Sequence, residues 1–71
     1  MKYRELAKIL KALGCKEIKG KGKGSHKKWI NSASGKGTVI PDWGGKDLKV
    51  GTIKAILKQL EIDPAEWDKM R

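Results

Sequence analysis

One side chain in this 71-residue sequence is a natural proton carrier near neutral pH, and it is His26. Imidazole is the side chain whose ordinary titration falls between pH ~5 and ~8, so both of its protonation states are within reach in a cell. Around it stand Gly24, Ser25, Lys27 and Lys28, preceded by the run Gly20-Lys21-Gly22-Lys23-Gly24. A proton-transfer group ringed by cations, on backbone that a phosphate can approach closely, suits chemistry on a phosphodiester. A surface histidine that merely falls in a basic strand is the plainer alternative. With one His and one Cys, the chain cannot assemble a tetrahedral zinc site by itself, so no metal or other cofactor is expected. Cys15 has no partner for an intrachain disulfide, which fits a reduced, cytoplasmic protein.

The charge has the same address. Lys and Arg total 17 against 8 acids, a formal net charge of +9. Residues 1–37 carry 11 bases and 2 acids, whereas residues 38–71 carry 6 of each. All of the net charge therefore lies in the first half, where it can steer a polyanion. Nucleic acid is the first partner to expect and an acidic protein the second. A membrane surface would want a basic helix with an apolar face, and here the most basic stretch is rich in glycine. No apolar run exceeds three residues, so no segment is expected to span a bilayer.

Other residues could contact the same ligand. Lys21 and Lys23 sit in the Gly/Lys run, which lacks the spacing of a P-loop or a dinucleotide fingerprint and leads into a strand. Lys46, Lys49 and Lys54, around the start of a helix, could meet phosphates, or could simply be solvated. Trp43, beside Gly44-Gly45, is either a stacking platform for a base or a lid on a small core.

The elements that must position these residues follow from periodicity. Leu6, Ile9, Leu10 and Leu13 share one face of a helix over 3–13, closed by Gly14. Residues 15–19 read as a strand, 25–30 as a second, and 38–41 as a third that ends at Pro41 or lies at an edge. The turn-rich residues 31–37 should close the hairpin between the last two. Strand alternation puts His26, Lys28 and Ile30 on one face, and Lys27 and Trp29 on the other. A chain without Phe needs its large apolar groups inside. Trp29 is therefore predicted under the helices, which turns His26 and Lys28 outward. A second helix is predicted over 50–60 with Ile53, Ile56, Leu57 and Leu60 as its stripe. Asp63-Pro64-Ala65-Glu66 is a helix start, opening a short last helix that brings Trp67 onto the body.

The result is one α+β domain over 1–71 with the order α-β-β-β-α, a three-stranded antiparallel sheet and a short C-terminal helix. Leu, Ile and Val number 15, close to the ~20% level below which a charged chain tends to stay disordered. Such a core has no room for a buried cofactor. Activity must sit on the surface.

Taken together, several of these residues resemble HicA-type mRNA interferase toxins. The resemblance is carried by Gly24-Ser25-His26 opening the second strand, Gly37-Thr38 opening the third and Pro41 closing it. Leu48-Lys49-Val50-Gly51-Thr52, leading into Ile56-Leu57-Lys58-Gln59, completes it. It covers about residues 2–62 and leaves 63–71 as a helical tail; the Gly/Lys stretch before the triplet is longer than the usual pattern. The resemblance implies a double-stranded-RNA-binding-like fold, ribonuclease activity that stops translation, and a catalytic histidine at His26. It also implies a HicB-type antitoxin carrying its own DNA-binding segment, so no direct DNA binding is expected of this chain alone.

Three function classes remain in view, the third being that the chain acts mainly as the basic half of a protein complex. The first is a small, metal-independent endoribonuclease in which His26 moves a proton to or from the ribose 2′-hydroxyl or the leaving oxygen. Lys27, Lys28 and the Gly24–Ser25 backbone would then steady the phosphate. One histidine cannot be acid and base at once, so a lysine, water or second subunit must supply the other role, and a slow enzyme follows. The second class is a module of the same fold that binds RNA through its lysines without cleaving it.

Overall fold

The computed structural model describes residues 1–20 and 24–70. Its elements run α1 (Tyr3–Ala12), β1 (Cys15–Ile18), β2 (His26–Asn31), β3 (Gly37–Pro41), α2 (Val50–Gln59) and α3 (Pro64–Met70). The fold is α+β, and the element order is the expected one. The strands form a single antiparallel sheet in the order β1-β2-β3, so the strand bearing His26 is central. None of the described helices is long and apolar enough to cross a membrane.

One face of the sheet is covered and the other is open. Leu6 and Leu10 of α1, Ile56 and Leu57 of α2, Leu60, and Trp67 of α3 close over Cys15, Trp29 and Ile40. Trp29 is completely buried (0% exposed). Its indole Nε1 donates to the Tyr3 hydroxyl at 3.0 Å, and the two rings meet edge to face with centroids 6.5 Å apart. Burial pushes the Tyr3 hydroxyl above the ordinary tyrosine range, opposed by the hydrogen bond from Trp29 and reinforced by the Glu17 and Asp42 carboxylates. Burial likewise raises the Cys15 thiol, which favours its neutral form.

Helix starts follow local chemistry. At α3, Asp63 Oδ1 accepts the Ala65 N–H at 2.9 Å, the cap expected of Asp-Pro. At α1, no Ser, Thr, Asp or Asn is available; the Glu5 carboxylate instead accepts the Lys2 backbone N–H at 3.1 Å.

Four strand boundaries differ by one residue from the periodic reading: the end of β1, both ends of β2 and the start of β3. Asn31, assigned from its type to the turn, is the last residue of β2 and is buried. Its Nδ2 donates to the Leu60 carbonyl at 2.8 Å, while its Oδ1 accepts the Ala33 N–H at 3.1 Å. One side chain thus both closes the hairpin turn and ties β2 to the end of α2. Ser34 Oγ donates to the same carbonyl at 3.0 Å. A similar tie joins β3 to α2, where the Thr38 hydroxyl donates to Gln59 Oε1. Asn31→Ala should destabilise the domain by about 1–3 kcal/mol in urea unfolding, because a buried carbonyl loses a donor and the turn loses its acceptor. A cost below ~0.5 kcal/mol would mean that Ser34 alone suffices.

Candidate active site on the open sheet face

Gly24 adopts a left-handed backbone (φ 56°), a conformation costly for residues with a Cβ, and from it the chain turns into β2. The Ser25 carbonyl then accepts the Asp42 N–H, one step beyond the ladder in which His26 pairs with Pro41. Antiparallel pairs alternate between hydrogen-bonded and non-bonded types. Since 25–42 is bonded, His26–Pro41 is a non-bonded pair, in which Pro41 needs no N–H. This accounts for a proline in β3, an edge strand. Cα atoms in such pairs lie about 4.5 Å apart, which holds His26 close beside the Pro41 ring.

His26 is exposed on the face opposite Trp29, as alternation requires. It lines an open hollow of about 300 Å³ at the end of the β1–β2 pair, together with Glu17, Ile18, Lys19, Gly20, Lys27 and Lys28. Lys28 shares the face of the imidazole, whereas Lys27, paired in register with buried Ile40, borders the hollow from the other face; the lysines around it favour an anion there. Glu17 and Lys19, which periodicity and motif leave unmarked, also line the hollow, but Glu17 pairs in register with Trp29 and so lies on the covered face, away from the imidazole.

The structure divides the other expected contacts. Gly24, Ser25, Lys27 and Lys28 gather around His26, and Lys27 and Lys28 are half-buried. Lys28 shares the open face, but its side chain lies across Gly37: a Cβ at that glycine would meet the Lys28 Cε and Nζ at 3.3 Å. Lys46 and Lys49 are exposed in the loop that follows β3. Lys49 adjoins α2, whereas Lys46 lines a second concavity with Ser25, Asp42 and Trp43. Trp43 is 45% exposed and belongs neither to the core nor to the apolar residues packed against it, so it is no lid. Lys21 and Lys23 lie outside the described residues. A groove of about 680 Å³ lies between α2 and α3 and is lined by neither His26 nor Trp43.

The comparisons with known proteins bear on this arrangement. Residues 3–62 match the family model described as the HicA toxin of bacterial toxin–antitoxin systems. The chain belongs to the HicA toxin family. The probable mRNA interferase HicA of Pseudomonas fluorescens (strain Pf0-1) is 48% identical over 62 residues, which is 87% of this chain and 97% of the relative. No solved structure matches the chain significantly. The family match contains the whole sheet, both longer helices and His26, and it stops before α3. In this family member, then, the helix that buries Trp67 lies beyond the matched span.

Proposed function

We propose that this HicA-family chain is an endoribonuclease of the mRNA interferase type, acting without a metal through His26 on the open face of the sheet. The observation that carries the reading is the exposed imidazole at the edge of a hollow lined by Lys19, Lys27 and Lys28, with Lys28 on its own face of the sheet. The name of the Pseudomonas relative supports the same substrate class.

In the reaction, the ribose 2′-oxygen loses its proton and bonds to phosphorus. The bond to the 5′-oxygen breaks, and that oxygen gains a proton. His26 serves one of these proton transfers. A lysine, water or a second subunit serves the other. The lysines offset the charge that builds on the non-bridging oxygens, and this differential stabilisation is what lowers the barrier. The products are a 2′,3′-cyclic phosphate and a 5′-hydroxyl. A HicB-type antitoxin with an acidic surface would silence the site by covering His26, drawn to the basic half of the chain by charge.

The purified chain should cleave a transcript in the presence of EDTA and leave those two ends. A substrate with deoxyribose at the cleaved position should resist, and a stoichiometric antitoxin should stop the reaction. RNA that is bound but never cut would move the non-catalytic binding module to first place.

A further inference from the structure

Trp43 is a large apolar side chain held in water. Such residues are ordinarily drawn inside, and this chain has only three tryptophans, of which Trp29 and Trp67 are buried. Its backbone, by contrast, is well fixed. Asp42 Oδ1 accepts the Gly44 N–H at 3.1 Å, the Trp43 carbonyl accepts the Lys46 N–H at 3.4 Å, and Gly44 takes a left-handed conformation (φ 65°). The Asp42 N–H bonds the carbonyl of Ser25, the residue before His26. The turn is thereby tied to the start of the catalytic strand. With Pro41 paired to His26 and Trp43 two residues further on, the Cα atoms of His26 and Trp43 are within about 11 Å. Trp43 and Lys46 line one open concavity of about 470 Å³ with Ser25 and Asp42.

We propose that Trp43 is a stacking platform for an unpaired base of the RNA, next to the nucleotide whose phosphate lies at His26, with Lys46 taking a backbone phosphate beside it. The inference rests on the RNA-cleaving reading for its substrate and extends it: the strand that enters must be single at this position. An indole face accepts any base, and Lys46 supplies the charge that an aromatic lacks. The Asp42 carboxylate is occupied with the Gly44 N–H. In a duplex the bases are stacked on one another and cannot reach the ring.

The test uses the full-length His26→Ala chain, so that the RNA stays intact and the result does not depend on whether His26 is catalytic. A mixed-sequence single-stranded RNA and a duplex of equal length are the probes. In that background Trp43→Ala should weaken single-strand affinity about 5- to 150-fold, Trp43→Phe should retain most of it, and duplex affinity should not change. The dependence of log affinity on log salt should keep its slope in Trp43→Ala and become shallower by about 0.7 in Lys46→Ala. Single-stranded RNA should quench indole fluorescence, and Trp43→Phe should abolish the quenching because the remaining tryptophans are buried. Unchanged single-strand affinity in Trp43→Ala, an equal loss on the duplex, or quenching that survives Trp43→Phe would each overturn the proposal. Absence of RNA binding by every variant would overturn this inference together with the RNA reading, whereas a stacking signal without cleavage by the wild type would overturn only the catalytic one.

Discussion

His26→Ala should lower RNA cleavage by about 100-fold or more and release cells from growth arrest, while the stability of the fold changes by less than ~0.5 kcal/mol. The two halves of this expectation come from the same geometry. His26 is exposed on the open sheet face, so truncation opens no cavity and leaves no buried group unpaired. What β2 needs from position 26 is its backbone, placed opposite Pro41, and alanine supplies that. What the reaction needs is a group that takes up and gives back a proton. General acid–base catalysis by one positioned side chain contributes ~10²–10⁴-fold, and alanine supplies none of it. RNA affinity should fall little, because Lys19, Lys27, Lys28 and the rest of the basic first half keep their charge. Parallel measurements of in-vitro cleavage, RNA binding and urea unfolding check the three statements together. A variant that is stable, binds RNA and still cleaves at a comparable rate would remove His26 from the mechanism.

The orientation of that histidine is legible in the amino-acid sequence, because strand alternation is a two-fold pattern with one heavy weight on it. Trp29 has to go inside, and three residues away along the strand His26 has to go out. The helices are legible for a related reason. Leu6 and Leu10 in α1, Ile56 and Leu57 in α2 and Leu60 just after it sit on stripes that only one face can satisfy and are buried, while Ile9, Leu13 and Ile53 of the same stripes pack against them partly buried. Partners across the chain leave no such trace. Asn31 has the composition of a turn residue and does serve the turn, yet its amide also reaches Leu60, 29 positions away. The Thr38–Gln59 bond and the Tyr3–Trp29 bond are of the same kind. Each joins residues of ordinary type whose proximity exists only once the sheet has formed and the helices have packed. Ile18 and Lys19 give no signal as lining residues of the hollow, because their place there is set by the β1–β2 pairing and by nothing in their neighbours in sequence. The path of Lys28 over Gly37 depends on a missing Cβ on the adjacent strand, which the pattern along one strand does not contain.

Trp29→Ala is expected to have the largest effect on the fold, destabilising it by about 3–5 kcal/mol. The indole is fully buried, and alanine would leave a void among Leu6, Leu10, Ile40 and Leu60, which are themselves fully buried. Domains of this length carry roughly 4–11 kcal/mol in all, at ~0.05–0.15 kcal/mol per residue, so the variant should be largely or partly unfolded at 37 °C. Tyr3→Phe gives a graded comparison. It keeps the edge-to-face ring contact but removes the acceptor for the Trp29 Nε1, a donor on a buried side chain, and should cost about 1–3 kcal/mol. Trp29→Phe keeps much of the apolar volume and leaves the Tyr3 hydroxyl, which is only half-buried, free to turn to water. It should therefore fall well short of the alanine variant. Urea unfolding followed by far-UV circular dichroism ranks the three. The ranking matters for function because Trp29 shares a strand with His26: Trp29→Ala should lose RNA cleavage together with its folded signal, whereas His26→Ala should lose cleavage alone. A Trp29→Ala chain that costs less than ~1.5 kcal/mol would show that the core can collapse onto the gap, and that β2 is held in place chiefly by its hydrogen bonds to β1 and β3 and by the Asn31 tie to α2.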